Sequence, residues 1–183
     1  MGWWLAYVVL LLALVVRLRD PAAPVRMVPG ASPTEPLRLV AVHHAVFLIL
    51  LVLAAPAEAL LAGGQPSGRW IGLVLFALGV AAYRAAAAAL GDALSPFVEP
   101  APGATLVTHG PYELVRHPMY LGQAMIAIGA PLVLGCRWTL VLSALAVVVL
   151  AVRIVVEEAA LRRTYPEYAQ YATRAKRIVP FLF

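Results

Sequence analysis

What most limits the folds open to this chain is its succession of long apolar runs. An uninterrupted apolar segment of about 20 residues suits the hydrocarbon core of a bilayer better than any soluble core. Five such runs stand out: Trp3 to Val16, Leu39 to Leu61, Trp70 to Leu90, Met119 to Leu134 and Trp138 to Val156. Hydrophobic residues make up 63% of the 183 and charged residues only 13%, where a soluble domain carries about a quarter. None of the runs alternates with the period of a barrel strand, so the expected class is an all-α membrane protein of about five transmembrane helices. The first run is short and needs tilt or local thinning to span. No basic residue precedes it, which argues for an uncleaved span rather than a signal peptide. Ala6 stands where a myristoylated Gly2 would want Ser or Thr.

Lys and Arg placement orients the helices. Arg17, Arg19, Arg26 and Arg38 fall between spans one and two, Arg84 at the end of span three, and Arg116 in the loop that follows. Arg153, Arg162, Arg163, Arg174, Lys176 and Arg177 lie at or beyond the end of span five. With five spans all of these share one side, leaving Arg69 and Arg137 on the other. The positive-inside rule then puts the N-terminus outside and the C-terminal tail in the cytoplasm. The net charge of +5 reads as loops facing anionic lipid rather than nucleic acid. The Ala-, Val- and Arg-rich composition suggests a bacterial source, and hence the inner membrane. A single Cys136 excludes an internal disulfide and any multi-cysteine metal site, and reads as a small packing residue.

The whole chain, 1–183, reads as one domain: three spans over 1–90, then a long loop, a helical hairpin and a tail over 91–183. Only Gly135, Cys136 and Arg137 separate spans four and five, so these must form the antiparallel hairpin. Gly122 and Gly129 in span four are expected to bring it close to span five. The run of alanines from Ala85 to Ala89 gives span three a smooth face suited to packing. Asp20 to Pro36 is an irregular connector, whereas Gly91 to His117, with Pro96, Pro100, Pro102 and Pro111, has the length of a functional loop. After span five, Leu161, Tyr165, Tyr168 and Tyr171 recur at helical spacing and predict an amphipathic helix on the cytoplasmic face. His43 and His44, inside span two, read as buried, hydrogen-bonded histidines.

Two clusters can carry chemistry. One runs from Thr105 to Tyr120, at the start of span four. His117 before Pro118 must be extended, and Pro118 suits a first helical position. Free N–H groups there can bind a carboxylate or phosphate. The plain alternative is a capped helix with interfacial Tyr and His anchors. The other cluster is Arg153 with Glu157 and Glu158. Arg153 and Glu157 share a helix face, and ionisable groups at membrane depth point to a cavity or a partner. Here the plain alternative is a snorkelling arginine beside solvated glutamates. Both clusters sit at the same end of one hairpin, so they are expected to meet.

Thr105-Leu-Val-Thr-x-Gly-x-Tyr112, then Arg116-His-Pro-x-Tyr120, Arg153-x-x-x-Glu157-Glu158 and Tyr165-Pro-Glu-Tyr168-x-x-Tyr171-x-x-Arg174 together resemble the isoprenylcysteine carboxyl methyltransferase family and the wider phospholipid methyltransferase-like group. The resemblance covers residues 95 to 181. It implies an S-adenosyl-L-methionine pocket lined by Ala104, Thr105, Leu106, Val107, Tyr112, His117, Pro118, Met119 and Tyr120, with Glu157 on the cofactor's amino group. Arg153 would face a lipophilic methyl acceptor entering from the bilayer, and Arg153 and His117 would be the catalytic side chains. Ala104 stands where some eukaryotic members have His, and Val98 and Glu99 occupy the place of an expected upstream Gln. No metal or nucleic acid is implied. A bacterial source argues against a prenylated protein C-terminus as the acceptor. Three further readings stand beside this one: a phospholipid or small-lipid N-methyltransferase, an NADPH-dependent membrane reductase like the sterol reductases, and a non-enzymatic membrane scaffold.

Overall fold

The computed structural model describes residues 46, 49–63, 68–94, 100 and 103–179. Span one, the start of span two with His43 and His44, the 20–36 connector, and Val98 and Glu99 lie outside the described residues. Those described are mostly helical. Helical turns run through Ile49–Ala54, Ala55–Glu58 (α1) and Ala59–Gly63. They are followed by α2 (Arg69–Leu90), α3 (Pro111–Leu114), α4 (Pro118–Leu134), α5 (Trp138–Thr164) and α6 (Tyr168–Arg174).

Among the described residues two helices are long and apolar enough to cross a membrane: α2, prolonged by a 3-10 turn to Ala93, and α5, with mean hydropathies of 1.9 and 2.7. At 1.5 Å per residue the 27 residues of α5 reach about 40 Å. The α5 surface is the reverse of a soluble helix. Leu145, Val148 and Val155 are exposed, whereas Thr139, Ser143, Arg153 and Glu158 are at most 5% exposed. Apolar outside and polar inside is the arrangement a lipid solvent selects.

The α4–α5 hairpin forms as the sequence predicts. Gly135 takes φ +75°, and the Gly135 and Cys136 N–H groups donate to the Leu132 and Pro131 carbonyls, which closes the helix end and reverses the chain. Glu58 completes the turn from outside. Its carboxylate accepts the N–H groups of Arg137, Trp138 and Thr139 at 2.7–2.9 Å, together with the Thr139 hydroxyl at 2.7 Å. These are first-turn donors of α5, which its own helix leaves without partners. Cys136 is buried, as a packing residue should be, and its Sγ reaches the Ala55 carbonyl.

The glycines of α4 serve a different neighbour from the one expected. A Cβ on Gly122 would meet the Gly79 carbonyl oxygen and the Tyr83 nitrogen, both at 2.7 Å. One on Gly129 would meet the Phe76 nitrogen at 2.6 Å. They therefore seat α4 on α2, not on α5. The reason is that α2 carries its own small residues, Gly72, Gly79 and Ala86, at the same seven-residue interval, all buried in the seam. Contact with α5 is made instead through Ser143, whose hydroxyl donates to the Ala127 carbonyl at 2.7 Å. In the alanine run, Ala86 is fully buried while Ala85 and Ala88 are exposed, so one edge of it packs.

The tail departs from a single amphipathic helix. Helix α5 runs on to Thr164, Tyr165 is extended (φ −118°, ψ 107°), and α6 starts at Tyr168. Pro166 is the cause, because the residue before a proline is driven out of the helical region. Past α6 the chain lies along the start of α4, with Val115 and Lys176 in a parallel bridge.

Candidate functional site

The two clusters do meet. His117 precedes α4 in a non-helical conformation (φ −128°, ψ 57°), as the following Pro118 requires. Its ring is 3% exposed and stacks on Tyr120 at 5.5 Å. From α5, Glu157 and Glu158 approach the same imidazole: Glu158 Oε1 lies 3.4 Å from Nε2, and Glu157 Oε1 lies 4.0 Å from Nδ1. The Tyr120 hydroxyl donates to Glu157. The Arg153 guanidinium lies over the Tyr120 ring, 5.2 Å from its centre. Tyr120 thus stands between the arginine and the glutamate that share its side of α5.

The two adjacent glutamates do different things. Glu158 is buried and ion-paired to Arg116 at 3.2 Å, to Arg177 at 3.1 Å and to Arg162 at 3.7 Å. A carboxylate surrounded in this way has little left to offer a ligand, and it holds α4, α5 and the tail together. Glu157 is more open, with a side chain 22% exposed. Nothing in the sequence separated the pair. A 100° step around the helix does.

The remaining predicted residues are divided. Ala104, Thr105, Leu106 and Val107 form an irregular segment outside helix and strand, with Thr105 at the surface. Tyr112 is buried in α3 and lies within electrostatic range of Glu157 and Tyr83. Burial, reinforced by Glu157, pushes its phenol well above the usual range, so it stays neutral. Pro118 is buried and Met119 partly so. The free N–H groups expected at this helix start are partly taken, since the Tyr120 and Leu121 amides both donate to the His117 carbonyl at 3.1 Å. The non-helical turn at His117 points that carbonyl at them. A cleft of about 430 Å³ opens beside Leu106 and Thr108, walled on its other side by Tyr171 and Arg174.

Tyr83 was missed by sequence reasoning. It sits on α2 within electrostatic range of both Arg153 and Tyr112. Its signal was a lone tyrosine one turn from the Gly79 contact, at the end of an alanine-rich span.

Residues 68–168, which include this buried polar cluster, match the phospholipid methyltransferase family, a class of methyltransferase. Protein-S-isoprenylcysteine O-methyltransferase A of Arabidopsis thaliana is 32% identical over 155 residues, 79% of this chain and 77% of its own. The Bacillus subtilis (strain 168) protein YpbQ, which is uncharacterized, is 35% identical over 116 residues, 62% of this chain and 69% of its own. The solved eukaryotic intramembrane Ras methyltransferase, an isoprenylcysteine carboxyl methyltransferase, shares the fold at a TM-score of 0.59 and 23% identity, over 97% of this chain. This chain spans 63% of that longer one. The chain belongs to the isoprenylcysteine carboxyl methyltransferase family.

Proposed function

We propose that this protein transfers a methyl group from S-adenosyl-L-methionine, bound from the cytoplasm, to a carboxylate on a lipophilic acceptor drawn from the bilayer. The observation that carries the reading is the convergence of His117, Tyr120, Arg153 and Glu157 at one end of the α4–α5 hairpin, inside the region matched to the family. The reading assigns five spans, with the site and C-terminus cytoplasmic in a bacterial inner membrane and the tail against its face.

The residues present fit the methyl donor. Glu157 is a partly open carboxylate suited to a cationic amino group. Tyr120 orients it through its hydroxyl. Ala104 to Val107, Tyr112, His117, Pro118 and Met119 supply the apolar and backbone lining. Held by these residues, S-adenosyl-L-methionine would supply an electrophilic methyl carbon for the acceptor oxygen, the O–C bond forming as the S–C bond breaks with its electron pair left on sulfur. The protein's contribution is alignment, which is worth on the order of 7–11 kcal/mol in favourable cases. Arg153, held over Tyr120, can orient an acceptor carboxylate through its planar donors. Such an acceptor needs no base. An amine acceptor would need one, and His117 is the side chain this reading assigns to that role, which keeps lipid N-methylation as the second reading.

Calorimetry on detergent-purified protein tests this, with S-adenosyl-L-methionine and NADPH as ligands. Micromolar binding of the sulfonium alone, weakened roughly 10- to 150-fold in Glu157→Ala, is expected for loss of a charged hydrogen bond. NADPH binding in its place would sink the reading. Labelled methyl transfer to an S-prenylated cysteine, rather than to phosphatidylethanolamine, separates the two acceptors.

A further inference from the structure

The start of the segment assigned to the methyl donor, Ala104 to Val107, is irregular chain that belongs to no helix and, among the described residues, to no sheet. Its carbonyls must therefore find donors elsewhere. Two of them come from the tail. The Tyr165 hydroxyl donates to the Ala104 carbonyl at 2.8 Å, and the Tyr171 hydroxyl to the Tyr112 carbonyl at 2.7 Å. These bonds hold the two ends of the stretch, with Thr105, Leu106 and Val107 between them.

The tail is itself fixed to the hairpin. The Arg116 and His117 N–H groups donate to the Lys176 and Arg177 carbonyls at 2.7 and 3.1 Å, and the Lys176 N–H to the Leu114 carbonyl at 3.2 Å. The Arg177 guanidinium lies on both oxygens of Glu158, at 3.2 and 3.1 Å. A continuous set of contacts therefore runs from the buried glutamate beside His117, through the tail, to both ends of the 104–112 stretch.

We propose that Tyr165 and Tyr171 are positioning residues for the methyl donor, holding the 104–112 stretch in its binding shape through their hydroxyls. The proposal rests on the reading of that stretch as donor-binding. Both partners are backbone carbonyls, so each tyrosine acts on the path of the chain and not on a side chain. The rings have separate work. Tyr165 is buried where Pro166 ends α5, and Tyr171 meets the Tyr168 ring edge-on at 5.8 Å. Burial pushes the pKa of both phenols up, with Glu167 adding for Tyr165 and Tyr168 for Tyr171, so both remain protonated donors at neutral pH. Phenylalanine keeps the packing and removes only the bond.

The test is S-adenosyl-L-methionine calorimetry on full-length Tyr165→Phe, Tyr171→Phe and the double variant, beside wild type and Glu157→Ala. Hydrogen exchange of residues 104–112 and thermal unfolding accompany it. Each single change is expected to raise Kd roughly three- to tenfold, and the double change more. Exchange should quicken in 104–112 alone, with the unfolding midpoint near that of wild type. An unchanged Kd in the double variant overturns the proposal, as does a fall in midpoint without weaker binding. Failure of wild type to bind, matching Glu157→Ala, removes the functional reading and the proposal with it.

Discussion

Gly122→Ala adds a single methyl group, and the seam between α2 and α4 leaves no room for it. The new Cβ would stand 2.7 Å from the Gly79 oxygen and from the Tyr83 nitrogen, where ordinary contact begins at 3.4 Å. All of these are backbone atoms, so no rotamer change relieves the clash. The helices must part locally by the 0.7 Å difference between those distances. A gap of that size forfeits about a quarter to a half of each atom pair's attraction along the seam. Overpacking of this kind costs about 1–3 kcal/mol, which for a chain of this length lowers the unfolding midpoint by roughly 2–12 °C. The assay is thermal unfolding in detergent, with Ala144→Val on the exposed face of α5 as the control. Because Tyr83 is one of the clashing residues, weaker S-adenosyl-L-methionine binding should accompany the loss. A Gly122→Ala protein that melts with wild type and with the control would refute the argument.

Glu158→Gln removes the charge shared by Arg116, Arg162 and Arg177. Breaking one side of a buried ion pair costs about 3–5 kcal/mol, and limited proteolysis should show the tail released ahead of the hairpin. Glu58→Gln keeps one acceptor but loses the anion at the start of α5, at a cost of about 1 kcal/mol read as a lower unfolding midpoint. Its S-adenosyl-L-methionine affinity should stay at the wild-type value, since Glu58 lies at the opposite end of the hairpin from His117.

The hairpin was legible because two strong signals bracket it, the His117-Pro118 start and the Gly135 reversal. The meeting of His117 with the glutamates followed from that alone. What could not be read was which neighbour each face takes. The glycine interval in α4 announced a close approach, but only its match with Gly72 and Gly79 in α2 says to what, and that match lies 50 residues upstream. The tail tyrosines kept helical spacing through a proline that breaks the helix, so periodicity outvoted a local steric rule that in fact won. Tyr83 carried no motif at all and became visible only once α2 was seated on α4.

The Glu58 contact also bears on how the molecule is put together in the membrane. The carboxylate and the three amides it holds are separated by about 80 residues of chain, and helices enter a bilayer in the order in which they are made. The acid is therefore in place before the last long span arrives. That helix begins at an anion already in the chain, which suits the partial positive charge of a helix start. A single side chain thus ties the start of α5 to a segment made about 80 residues earlier.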